Sequence, residues 1–159
     1  MISRFLLSLS LVLFISACGD PEPPPQKPVE YEAAKVISDA VAKDLLNDDI
    51  VDVYNRLDMG FKTIVKDAND VKKNLENGYI APGRPLEFEF KISKIGTRVD
   101  GSWVRPCRTF WYAAKTKKFE KGTYFLKVEI VPAIGGGPLD VSGIGLLTFK
   151  EGKVPSYLQ

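Results

Sequence analysis

The sequence predicts an α+β domain, with N-terminal helices packed on a curved antiparallel sheet of about four strands. Three observations carry that expectation. Apolar residues recur at three- and four-residue spacing from Glu30 to Leu75, and at two-residue spacing from Leu86 onward. The period changes once, so helices come first and strands follow, which is the order of an α+β fold. Turn signals at Asp100-Gly101, Lys121-Gly122 and Gly135-Gly136-Gly137-Pro138 then separate the strands as in an antiparallel meander.

The first helix is expected from Glu30 to Asn47, with Ala33, Ala34, Ile37, Ala40, Val41 and Leu45 on one face and Lys35, Asp39 and Lys43 between them. Asn47-Asp48-Asp49 breaks it and supplies an N-cap for a second helix, Ile50 to about Lys66, which Gly60 bends, with Val53, Tyr54, Leu57, Phe61, Ile64 and Val65 on one side. Asp67 or Asn69 caps a short third helix through Leu75, which Asn77-Gly78 ends. The first strand alternates without a slip, with Leu86, Phe88, Phe90 and Ile92 inward and Glu87, Glu89, Lys91 and Ser93 outward. Ser102 to Lys115 is apolar on both faces, and Pro106 marks an edge position or a bulge. Tyr124, Leu126, Val128 and Ile130 point inward in the third strand, with Lys127 and Glu129 outward. Leu139 to Lys150 closes the set, with bends at Gly143 and Gly145.

Four segments are expected: 1–17, a signal peptide; 18–29, a linker; 30–152, the α+β domain; and 153–159, a C-terminal tail. Arg4 and the apolar run Phe5 to Ile15 lead to Ser16-Ala17-Cys18, the layout of a secretory signal. Eleven residues make a helix of about 16 Å, too short for a hydrocarbon core of roughly 30 Å. Ile15-Ser16-Ala17-Cys18 resembles a bacterial lipobox. That resemblance implies cleavage before Cys18, a diacylglycerol on its sulfur and a further acyl chain on its amino group. Several chains hold a protein on a bilayer where one holds it only marginally. Gly19 after the cysteine, in place of an inner-membrane aspartate, implies the outer membrane, facing the periplasm. A conventional cut after Ala17, with Cys18 left as a plain thiol, is the competing reading. Prolines 21, 23, 24, 25 and 28 then form an extended spacer of roughly 30 Å.

The order of elements and the stretch Asp49 to Leu57, of the form D-x-x-x-x-Y-x-x-L, resemble the nuclear transport factor 2-like cone fold. More narrowly, the chain is similar to short bacterial lipoproteins of unknown function built on that fold. The resemblance covers Glu30 to about Gly152. It implies a conical space between helices and sheet that some members use as an active site and others fill with side chains. It also implies pairing through the open sheet face, for which Phe125 and Val131, both outward by register, leave room. The oligomeric state is left open, a homodimer included.

Composition excludes several chemistries. The chain has no histidine and only one cysteine besides Cys18, so it carries no Ser-His-Asp or Cys-His pair and no imidazole or four-cysteine metal site. Neither a metal nor a cofactor is expected. A net charge of +2 is too small for a nucleic-acid binder. Isomerases and cyclases of the cone fold use pocket Asp or Tyr, which here leaves Asp58, Tyr112, Tyr124 and Asp140 as candidates. Glu87, Glu89 and Glu129 fall on the outward register, and the chain is not expected to be an enzyme. Tyr54, Phe110, Trp111, Tyr112 and Tyr124 are candidates for lining a ligand cavity, or are plain core. Cys107, between Arg105 and Arg108, is either a reactive thiol or a small packed residue.

Charge is uneven along the domain. Glu30 to Tyr79 holds 7 basic and 11 acidic residues, net −4, whereas Ile80 to Gln159 holds 13 basic and 7 acidic, net +6. Lys115, Lys117, Lys118 and Lys121 cluster in a hairpin tip that is either a contact patch for an anionic partner or a solvated turn. The expected role is that of a non-enzymatic envelope lipoprotein binding another protein or a surface component. A carrier of small apolar ligands and an isomerase- or cyclase-like enzyme are the alternatives.

Overall fold

The computed structural model describes residues 27–80, 82–100, 103–118, 123–134 and 137–159. Cys18, the signal-like stretch, prolines 21 to 25 and Lys121 lie outside the described residues.

Helix α1 (Tyr31–Asn47) matches its expected span, and Asp48 ends it in the left-handed conformation at φ 66°. A short polar side chain tolerates that conformation, and the Asp49 N–H then donates to the Asp44 carbonyl at 2.8 Å. The single helix expected over 50–66 is instead two short ones, α2 (Ile50–Asn55) and α3 (Met59–Lys62). The break lies at Leu57-Asp58 rather than Gly60, and its cause is the sheet. Val141 N donates to Arg56 O and Asp58 N donates to Val141 O, both at 2.9 Å, so a strand edge takes the groups that a continuous helix would use. Asp58 then caps α3, its Oδ1 accepting from Phe61 N at 2.6 Å.

Helix α4 (Ala68–Tyr79) begins at Asp67, whose Oδ1 accepts from Asp70 N at 2.9 Å. Asp70 Oδ2 accepts in return from Lys66 N at 3.1 Å, a reciprocal arrangement like a capping box. The helix runs through Asn77-Gly78, where a stop was expected. Gly78 faces the sheet, and a Cβ there would lie 3.4 Å from Leu146 Cβ. Its bareness lets the helix approach the strand and does not end it.

Strands β1 (Glu87–Asp100), β2 (Trp103–Lys115), β3 (Tyr124–Pro132) and β4 (Leu139–Thr148) form a curved antiparallel sheet in the order β1-β2-β3-β4. The inner face packs on the helices around Val41, Val53, Phe110, Leu126, Val128 and Ile130, all fully buried. Pro106 sits where β2 has run past its pairing with β3, an edge position that spares the missing N–H.

Two ladder irregularities redirect side chains. Phe90 pairs with Tyr112 but Ile92 with Trp111, so a bulge at Lys91 turns Ile92 to the outer face, against the unbroken alternation of its sequence. Leu86 precedes the strand and is exposed, so it is not inward either. On β4, Gly143 pairs with Glu129 and Val141 with Ile130, which places a bulge at Ser142. A Cβ on Gly143 would come 2.7 Å from Glu129 Oε2, a contact that only glycine avoids without displacing the carboxylate.

The outer face is closed as well. Trp111, Ala113, Phe125 and Leu158 are buried together, with Ile92, Leu147, Phe149 and Val154 packed around them. The chain beyond β4 returns across this face, ending in a 3-10 turn at Ser156–Leu158. Its rings seal the cover, Phe149 on Phe125 and Tyr157 on Trp111 with centroids 5.8 and 6.2 Å apart. Phe125 is fully buried beneath this cover and Val131 is fully buried too, so neither offers the room for pairing expected over them.

Candidate functional site

The five residues proposed to line one cavity do not come together. Phe110 and Tyr112 lie in the inner core, while Trp111 belongs to the outer cluster, because neighbours in a strand face opposite ways. Tyr112 Oη is 2.8 Å from both Ser38 Oγ and Asp39 Oδ1. With one proton it donates to the carboxylate and accepts from the serine, and burial pushes its phenol far up. Tyr124 is buried at the start of β3, and burial raises its phenol too. Tyr54 is half-buried and donates to the Lys66 carbonyl at 2.9 Å, tying α2 to the segment before α4.

Asp58 and Asp140 lie close enough at the edge of β4 to act on each other electrostatically. Arg105 reaches Asp58 Oδ2 at 2.7 Å, with both side chains almost wholly buried, and also donates to Pro132 O at 3.3 Å. Asp58 thus divides its oxygens between a helix cap and an ion pair. Burial raises the Asp140 carboxyl above its usual range, Asp58 adds to this, and Lys62 and Arg105 oppose it. This trio closes the end of the sheet where β3 stops.

Cys107 is buried, and burial, followed by the charge of Glu129, pushes its thiol up. The arginines that flank it in sequence are engaged elsewhere, Arg105 with Asp58 and Arg108 with the Val29 carbonyl. The packed-residue alternative is the one that fits. Of the lysines, Lys115 stands 3.8 Å from Glu87, and Lys117 and Lys118 are exposed on the turn that follows.

The largest apolar concavity described is one that sequence reasoning missed. A groove of about 360 Å³ opens between α3, α4 and β4, walled by Phe61, Ile64, Val65, Val71, Leu75, Ile144 and Leu146, with Asn74, Gly78 and Gly145 completing it. Ile64 is 72% exposed on its rim. Periodicity assigned Ile64 and Val65 to the core-facing stripe of one long helix. The break at Leu57-Asp58 interrupts that stripe, leaving Val65 buried and Ile64 exposed, and the capping type of Asp58 was its one local signal. Beyond the bridge to Leu57, the described residues offer no strand partner to the outer edge of β4. The groove therefore lies beside backbone groups able to pair with an extended chain.

Among the described residues no three His, Cys, Asp or Glu side chains gather as metal ligands, and no helix is long and apolar enough to cross a membrane. Comparison with protein-family models, with curated proteins and with solved structures finds no match in any of the three.

Proposed function

We propose that this chain is a bacterial envelope lipoprotein, held through Cys18 on the outer membrane facing the periplasm, whose cone-like domain binds another envelope protein without catalysis. The observation that carries the binding assignment is the groove between α3, α4 and β4. It combines an apolar trough of about 360 Å³ with a strand edge, which suits an extended partner segment that adds beside β4 and buries alternate apolar side chains. Ile64 adds exposed apolar surface at the rim of that trough. Support also comes from the space between helices and sheet, which Phe110, Tyr112, Leu126 and Val128 occupy. A general acid or base must reach its substrate, and neither Asp58 nor Tyr112 lines a cleft described here.

Photo-crosslinking in intact cells tests the assignment. A benzophenone side chain at exposed Asn74, on the groove wall, is expected to capture one specific envelope protein, and Ile64→Asp is expected to abolish that adduct. The same probe at Val36, exposed on α1, serves as the control. No adduct at Asn74, or the same adducts at both positions, would overturn the groove as the contact site. The groove is also at the small end of ligand-pocket volumes, so a bound apolar molecule in native mass spectra of protein from its own host would favour the carrier. The anchor is tested separately. The mature N-terminal peptide should begin at Cys18 with acyl mass, and Cys18→Ser should release the protein from membranes.

A further inference from the structure

The end of the β1–β2 hairpin presents an apolar face to solvent. Pairing between β2 and β3 stops at Arg108 and Ile130, so beyond that point the hairpin has two strands among the described residues. Ser93 lies opposite Phe110, and alternation puts Ile95, Thr97 and Val99 on the same face as Arg108, Pro106 and Val104. Val99 stands opposite Val104 and Thr97 opposite Pro106, which joins the apolar residues into one strip. Ile95, Val99 and Val104 are 65%, 66% and 54% exposed. The other face braces the hairpin: Arg98 pairs with Glu129 at 2.8 Å, and Arg105, its ladder partner, pairs with Asp58 at 2.7 Å. The strip is thus held outward on a fixed support.

The described chain starts beside the base of this hairpin. The Val29 carbonyl accepts from Arg108 Nε at 3.0 Å, and Tyr31 packs on Phe110 with ring centroids 5.9 Å apart. Helix α1 then leads away, since Ser38 and Asp39 meet Tyr112, two residues further from the hairpin end than Phe110. Val104 is four residues from Arg108, about 13 Å along a strand. Cys18 precedes Val29 by eleven residues, a reach of at most about 40 Å. A lipid on Cys18 therefore keeps the base of the hairpin within that distance of the bilayer.

We propose that the strip is a second membrane contact: Ile95, Val99 and Val104 enter the headgroup–acyl boundary of the bilayer that holds Cys18. The inference rests on the lipid anchor proposed above and is independent of the groove. Three aliphatic side chains are too few to hold a free domain on a membrane. The tether makes their contact intramolecular, at a high effective concentration, and that is enough for a weak second site. Charge agrees with the assignment. Between residues 93 and 108 stand Lys94, Arg98, Arg105 and Arg108 against one acid, Asp100, so little there repels lipid phosphates. Docked in this way, the domain sits with its hairpin toward the lipid.

The test uses the full lipidated chain carrying Cys107→Ala, purified from its host and reconstituted in vesicles of phosphatidylethanolamine and phosphatidylglycerol. The acyl mass on Cys18 is measured first on the same sample. Nitroxides attached at Val99→Cys and Val104→Cys are expected to be several-fold less accessible to a nickel relaxation agent than one at Val51→Cys, and more accessible to oxygen. Val51 is an exposed position on α2, beyond the far end of α1. Labels at Val99 and Val104 as open to nickel as the one at Val51, on a chain with acyl mass, would overturn this contact and leave the anchor standing. Spin–spin broadening between copies would overturn it too, because a second chain would then occupy the strip. A chain without acyl mass would remove anchor and contact together.

Discussion

Arg105 Nη2 donates to Asp58 Oδ2 across 2.7 Å, joining side chains 47 positions apart that are both out of contact with water. The pair fastens the short segment between α2 and α3 to β2, next to the point where Leu57 bridges Val141 of β4. Removing one partner leaves the other as an uncompensated buried charge. Arg105→Met is therefore expected to cost about 3 to 5 kcal/mol in denaturant unfolding. Adding Asp58→Asn should recover much of that loss, because the amide oxygen still caps Phe61 N without carrying charge. A double variant no more stable than Arg105→Met would show that lost arginine packing dominates.

Asp140 supplies a pH dependence. Its folded carboxyl is raised by burial first and by Asp58 second, so the folded chain holds that proton more tightly than the unfolded chain does. The sign follows: the contribution is complete below the ordinary carboxyl value and is lost as pH rises through the raised one. Asp140→Asn should therefore gain on the natural protein as pH climbs from about 3 toward 7, measured as denaturation midpoints. Parallel midpoint curves would rule out Asp140 as the source.

The C-terminal strap is expected to contribute to stability and solubility. Leu158 is buried against Trp111 and Phe125, so Leu158→Ala should cost about 2 kcal/mol. Deleting residues 153–159 uncovers those two aromatics, and the truncated chain should self-associate in analytical ultracentrifugation. A truncated chain that stays monomeric, with unchanged tryptophan emission, would mean the strap covers little in solution.

Cys107 should react slowly. Its thiol is buried and pushed up by that burial and by Glu129, so little thiolate forms near neutral pH. Alkylation of this residue in Cys18→Ser protein is expected to be slow when folded and fast in denaturant. Rapid labelling of the folded chain would restore the reactive-thiol reading.

Much of the fold was legible in the chain because it is written locally. Alternation from Tyr124 to Ile130 stated which side of β3 meets the helices, and all four inward residues are buried. Asp67 announced the start of α4 by being able to accept from a nitrogen three residues on. The misread features share a different origin. Gly78 looked like a stop signal until Leu146, from a strand far along the chain, turned out to need its bareness. The candidate groove was invisible for the same reason, since its walls come from three elements whose mutual approach no spacing records.

The amino-acid sequence alone determined the order of helices and strands, the faces that α1 and β3 present, and the absence of histidine side chains, because propensity, period and composition act within a few residues. Tertiary structure alone decided where the second helix breaks, which way Ile92 points, that Phe125 is covered and that a groove opens beside β4. Each of those depends on a competition between groups far apart in the chain, Val141 against a helical carbonyl or Trp111 against Tyr112. Such contests are settled only when the sheet closes over the helices.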